Sequence, residues 1–82
     1  MKISPEQCRA ARAWLDWSQE DLAEAANVSL STVRDFEKGR RQPIANNMMM
    51  MKQAFEAQSL HFTYAFDGTP LGVEMTLEGP RI

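Results

Sequence analysis

Residues Trp17 to Pro43 read W-S-Q-E-D-L-A-E-A-A-N-V-S-L-S-T-V-R-D-F-E-K-G-R-R-Q-P. Ser18, followed three residues later by Asp21, is close to a capping box, in which a cap hydroxyl and a side chain of the first helical turn satisfy each other's backbone N–H groups. Leu22, Ala23 and Ala26 then supply one apolar face of a short helix. Asn27 tolerates left-handed backbone, so it can end that helix and turn the chain sharply before Val28. Ser29 is placed to cap a second short helix with Thr32 as its third residue, Val33 and Phe36 as its inward pair and Gly39 as its stop. Arg40-Arg41-Gln42-Pro43 cannot continue it, because proline disfavours helical geometry in the residue before it. The stretch therefore predicts two short helices, a tight turn between them and a basic exit loop.

Outward from this unit, Ser4-Pro5-Glu6 is a helix start: a capping hydroxyl, a proline pre-set for the first helical position and an acid facing the positive dipole end. Cys8, Ala11, Arg12 and Leu15 recur at helical spacing, and Asp16 and Trp17 break the helix after about Leu15. On the other side, a helix from about Ala45 carries an inward stripe of Met48, Met51 and Phe55, widened by Ala54. After Ser59 the period changes to two. Leu60, Phe62, Tyr64 and Phe66 alternate with His61, Thr63 and Ala65. Asp67-Gly68 marks a turn, and Val73, Met75 and Leu77 alternate with Glu74 and Thr76, as in a β-hairpin. The expected fold is mainly α: a four-helix helix-turn-helix domain with a C-terminal β-hairpin. There is no internal repeat and no linker, so residues 1–82 read as one domain, with a helical core over 4–58 and a hairpin extension over 59–82.

The chain of 82 residues is 44% hydrophobic and 24% charged, which is globular composition and leaves room for one core. Cys8 is the single cysteine. It can make no internal disulfide and no thiolate metal site, so a cytoplasmic setting is expected. The N-terminus lacks an apolar leader segment, and no run approaches the roughly 18 apolar residues of a membrane span. The net charge of −2 argues against holding nucleic acid by bulk charge. Its distribution is uneven: residues 29–43 sum to +2, whereas residues 1–28 and 44–82 sum to −2 each. The run Met48 to Met51 spreads its sulfurs around a helix turn and cannot converge on one soft metal ion. His61 and Cys8 lack catalytic companions, and Glu20, Asp21 and Glu24 form a capping, solvated face. Neither an enzyme nor a cofactor is expected.

Two short helices with a tight turn suit a unit whose second helix enters the major groove of DNA. Its first turn, Ser29-Leu30-Ser31-Thr32, is small or able to hydrogen-bond. Arg34 and Lys38 have the length to reach base edges or phosphates, with Asp35 between them. Ser18 and Gln19 at one end, and Arg40 and Arg41 at the other, stand where groove-edge phosphates would lie. The run resembles the Cro/repressor-type (XRE-like) helix-turn-helix family of bacterial and phage transcriptional regulators, through S-Q-E-D-L-A, V-S-x-x-T-V and F-E-x-G-R-R-x-P at their joint spacing. The likeness covers roughly residues 4 to 58. It implies base reading by Leu30, Ser31, Arg34 and Asp35, and phosphate contact by Ser18, Gln19, Thr32, Lys38, Arg40 and Arg41. It also implies a structural ion pair between Arg12 and Glu37. Asn27 stands where the family most often has Gly, and Leu30 where a polar reader is frequent, so Leu30 either meets a thymine methyl or is simply an exposed apolar residue.

The implied function is a sequence-specific, repressor-like regulator that binds double-stranded DNA with the helix Ser29 to Lys38. The alternative is an antitoxin-like or other interaction module whose hairpin binds a partner protein. The period-two segment stands where the family commonly has a fifth helix. Its apolar face, with Phe62, Tyr64 and Phe66 opposite Val73, Met75 and Leu77, needs a cover. The first and fourth helices offer Trp14 and Met50 for this, and a second copy is the other choice. Homodimerisation through the C-terminal β segment is the expectation.

Overall fold

The computed structural model describes residues 2–76. Four helices, α1 (Pro5–Leu15), α2 (Gln19–Ala26), α3 (Leu30–Glu37) and α4 (Ala45–Glu56), precede the strands β1 (Leu60–Tyr64) and β2 (Pro70–Met75). The helix boundaries follow from local chemistry. The Ser4 hydroxyl accepts the Gln7 N–H while the Gln7 side chain accepts the Ser4 N–H, and Ser18 and Asp21 repeat this reciprocal box at the start of α2. Ser29 accepts the Thr32 N–H at the start of α3. Asp16 and Asn27 end α1 and α2 in the left-handed region, with φ of 58° and 56°. Gly39, at φ 74°, turns the chain out of α3, where a side chain would be strained.

The core gathers one face from each helix. Cys8 and Ala11 of α1, Leu22, Ala23 and Ala26 of α2, Val33 and Phe36 of α3, and Met48, Met51 and Phe55 of α4 are buried together with Ile3 and Leu60. The strands pair antiparallel, Leu60 with Met75, Phe62 with Val73 and Tyr64 with Pro70, with an irregularity between Thr63 and Tyr64. Leu60 is fully buried, and Phe62, Val73 and Met75 pack on the same core. Trp17 stacks on Phe55 with ring centroids 5.7 Å apart, and Phe55 meets Phe62 edge-on at the same distance. One chain thus covers the inner face of its own hairpin. Gln7, a buried polar residue, fastens it further: its Nε2 donates to the carbonyls of Thr63 and Gly72, each at 3.0 Å.

Three expectations for the hairpin need correction. Phe66 does not extend the apolar face of β1; it is fully exposed in the turn. The strand stops at Tyr64 because Pro70 opposite has no N–H to donate, and residues 65–69 close a turn instead. There the Ala65 N–H donates to Thr69 O at 2.8 Å, and Asp67 Oδ1 accepts from the Thr69 N–H and hydroxyl at 3.0 and 2.7 Å. Second, the register sets Phe62 opposite Val73, but Met75 opposite Leu60 rather than a later residue; Leu77 lies outside the described residues. Third, Trp14 does not cover the hairpin. It is 58% exposed, on the side of α1 turned away from α3, and Trp17, read from sequence as a helix breaker, supplies the aromatic cover. Met50 does pack, half-buried, against the core.

Candidate nucleic-acid interface

The pose of α3 is set by a buried carboxylate at its last residue. Glu37 accepts from Arg12 Nε and Nη2, each at 2.7 Å, from Gln19 Nε2 at 3.0 Å and from Cys8 Sγ at 3.0 Å. Its backbone carbonyl accepts from the Arg9 guanidinium. Arg12 also donates through Nη1 to the Trp17 carbonyl at 3.0 Å. The side-chain exposures of Arg12 and Glu37 are 19% and 3%. Residues of α1, the start of α2 and the end of α3 therefore converge on one charged node, which fixes the angle at which α3 leaves the body. Burial pushes the Glu37 carboxyl up, and hydrogen bonds from Arg12, Cys8 and Gln19 more than reverse this, so it sits below the usual carboxylate value. Burial, followed by the hydrogen bond to Glu37, pushes the Cys8 thiol well above its ordinary range. Cys8 is a neutral packing residue and donor.

The outward side of α3 carries short hydroxyls at its start and cations towards its end. Ser29 Oγ lies 3.1 Å from Ser31 Oγ and 2.7 Å from Thr32 Oγ1, which makes a compact hydroxyl cluster without an acid in the first turn. Ser31 and Arg34 are exposed, and Asp35 is half-buried. Leu30 is half-buried and leans on the core, so only part of its side chain faces outward. Lys38, Arg40 and Arg41 are all exposed. The N–H groups of Arg40 and Arg41 donate to the Asp35 carbonyl at 2.9 and 3.4 Å, which folds the exit loop back along α3.

Ser31, Thr32, Asp35 and Arg41 come together as one wall of a cleft of about 210 Å³, closed on the other side by Gln42, Pro43, Ile44 and Asn47. Arg34, Lys38 and Arg40 stand outside it. Ser18 accepts the Asp21 N–H, leaving its own hydroxyl proton to donate outward. Gln19 has one amide proton directed at Glu37, so it contributes to the node. Ile44, Asn47 and Gln42 were not singled out from sequence. Ile44 is the N-cap of α4, makes no side-chain cap bond and is 68% exposed, so the cap residue itself does not satisfy the first-turn N–H groups of α4 beside Arg41. Such groups bind anions. The signal was present in the sequence, since an isoleucine stands where a capping Ser, Thr, Asp or Asn would be expected.

A helix packed on the body through Val33, Phe36 and Glu37, with an outward face that begins in short donors and acceptors and runs into a cationic exit loop, defines a DNA-binding helix-turn-helix. Residues 9–49, half of the chain, match the helix-turn-helix family, and the chain belongs to it in its Cro/repressor-type, XRE-like form. The match spans α2 and α3 and reaches the first turn of α4, while both strands lie beyond it. No curated protein matches the chain. Among the described residues, no helix is long and apolar enough to cross a membrane, and no group of three His, Cys, Asp or Glu residues could hold a metal ion.

Proposed function

We propose that the protein is a sequence-specific regulator of transcription that works in the cytoplasm as a single domain, binds double-stranded DNA and represses by occupying its site. The observation that carries this is the outward face of α3, where Ser31, Arg34 and Asp35 project from a helix whose flanking block, residues 29–43, holds the chain's local excess of positive charge. Arg34 has the reach for a bidentate contact to guanine, Ser31 and Asp35 suit neighbouring base edges, and the outer part of Leu30 suits a thymine methyl. Ser18, Gln19, Thr32, Lys38, Arg40 and Arg41 meet the phosphates on the two groove edges.

Selection of bound sequences from random duplexes tests the reading, and enrichment of a defined site is expected. Arg34→Ala then relaxes one position of that site, at a cost of about 1–3 kcal/mol of discrimination. Replacing Arg40 and Arg41 together weakens all duplexes alike and lowers the salt slope by roughly one per lost phosphate contact. Recovery of no preferred sequence, or a salt slope unchanged in the double variant, contradicts these assignments.

A single unit of this size reads few base pairs, so the reading includes a homodimer on paired half-sites. The inner face of the hairpin is already used within one chain, so what β2 offers a second copy is its outer margin. A second reading draws on Phe66, fully exposed at the hairpin tip: the hairpin docks a partner protein and DNA contact is secondary, as in an antitoxin-like subunit. Stoichiometric co-purification of another protein, lost in Phe66→Ser, would favour it.

A further inference from the structure

Lys2 and Ile3 face the first half of α4 across a groove of about 310 Å³, whose other wall is Ala45, Met48, Met49 and Lys52. These four α4 residues stand at i, i+3, i+4 and i+7, one stripe two turns and about 10 Å long. Ile3 and Met48 are buried and form the floor, whereas Met49 is 50% exposed. The wall opposite α4 is held in place: Ile3 belongs to the core, and the Tyr64 hydroxyl donates to the Lys2 carbonyl at 3.2 Å. The bottom of the groove is therefore apolar, and the ionisable residues that line it, Lys2 and Lys52, are both cations. Among the described residues no acid lines it, in a chain whose net charge is −2.

We propose that this groove docks an acidic amphipathic helix of a partner protein, with apolar side chains on Ile3, Met48 and Met49 and carboxylates beside Lys2 and Lys52. Charge selects the occupant. An apolar floor with two cations at its walls is complementary to an apolar stripe flanked by acids. A second copy seated here across a two-fold axis would set lysine against lysine. A DNA backbone would leave the methionines without an apolar partner, and the cations read as its phosphate contacts lie in the 29–43 block instead. Shape agrees, since a two-turn stripe matches the i, i+3, i+4 and i+7 anchors of a helix laid in a groove, and methionine adapts to the side chains it meets. The contact is small, so it is transient. Its place gives it a use. The stripe centres roughly 120° around α4 from Ile44 and Asn47, which line the cleft beside α3, so the dock stays open while α3 holds DNA. That use rests on the reading of the chain as a DNA-binding regulator, whereas the dock itself rests on the groove alone.

The test uses the full chain and, as probe, a fluorescent peptide of roughly 15 residues, long enough to hold a helix, with leucine at i, i+3, i+4 and i+7 and glutamate on both flanks. Wild type is expected to bind it, and to bind it more weakly as salt rises. A version with glutamine in place of glutamate binds less, and one with lysine does not bind. Lys2→Glu and Lys52→Glu each weaken the glutamate peptide about fivefold, and Met49→Ser weakens it about tenfold. Melting temperatures serve as folding controls, and Lys2 and Met49 are exposed positions. The chain carrying both lysine changes binds the lysine peptide instead, which a misfolded chain would not do. On a duplex selected by wild type, the peptide keeps its affinity and releases no DNA. Equal binding of the glutamate and glutamine peptides, binding of neither, or variants that bind as wild type does overturns the proposal. Displacement of the duplex by the peptide puts the peptide on the α3 face and overturns it as well. Capture of phosphatidylglycerol vesicles without the peptide assigns the groove to lipid and rejects a protein partner. Failure to select any duplex, with the peptide results as expected, overturns the DNA reading and leaves the dock.

Discussion

Glu37 is an acid with almost no solvent contact whose carboxylate receives four hydrogen bonds, two of them from Arg12. Removing one partner of such a pair strands the other charge, so Glu37→Ala is expected to cost about 3–5 kcal/mol in urea or thermal unfolding. Its folded-state carboxyl lies below the ordinary value of 4.5, so the unfolded chain takes up this proton first as pH falls. The contribution is whole above the ordinary carboxylate range and is lost as pH drops through the folded-state value. Glu37→Gln should remove that acid-dependent component from the stability profile. Gln7 has a comparable role without charge, since its amide satisfies two hairpin carbonyls. Gln7→Ala leaves both without this donor and is expected to cost roughly 1–3 kcal/mol, with hydrogen-exchange protection lost first at the hairpin. Either change leaving stability within error of wild type would show the node or the tie to be solvated.

The four helices differ in how they are begun, and the difference has a functional side. α1, α2 and α3 each start at a serine whose hydroxyl accepts a backbone N–H, whereas α4 starts at Ile44 with no side-chain cap. A capping residue is worth about 0.5–2 kcal/mol. Ile44→Asp is therefore expected to raise the melting temperature and also to weaken DNA binding, because the carboxylate would occupy the anion-binding turn beside Arg41. A variant that is more stable and binds DNA as wild type does would remove the start of α4 from the interface. The turn between α2 and α3 was legible from Asn27 alone, because left-handed backbone is a local property of one residue. The end of β1 was not, because alternation of apolar residues continues to Phe66 in sequence. What stops the strand is Pro70 opposite and the Asp67–Thr69 turn.

For the molecule as a whole, the hairpin is packed on the helical core and contributes Leu60 to it. Leu60 is fully buried, and the row Trp17–Phe55–Phe62 runs from the end of α1 across α4 to β1. A chain ending at Ser59 would uncover Phe55 and is expected to lose cooperative unfolding in calorimetry. A truncated chain that still melts sharply would show the hairpin to be dispensable. Residue order alone specified the serine caps of α1, α2 and α3, the stops at Asn27 and Gly39, the buried faces of the helices and the basic exit loop, because each depends on interactions within about four residues. The tertiary arrangement selected Trp17 over Trp14 as the aromatic cover, joined Gln7 to strands more than fifty residues away, and drew Ser31, Asp35 and Arg41 into one cleft with Ile44. Those choices depend on the angles at which packed elements cross. These angles arise from side-chain volumes and buried hydrogen bonds acting together, which no local period encodes.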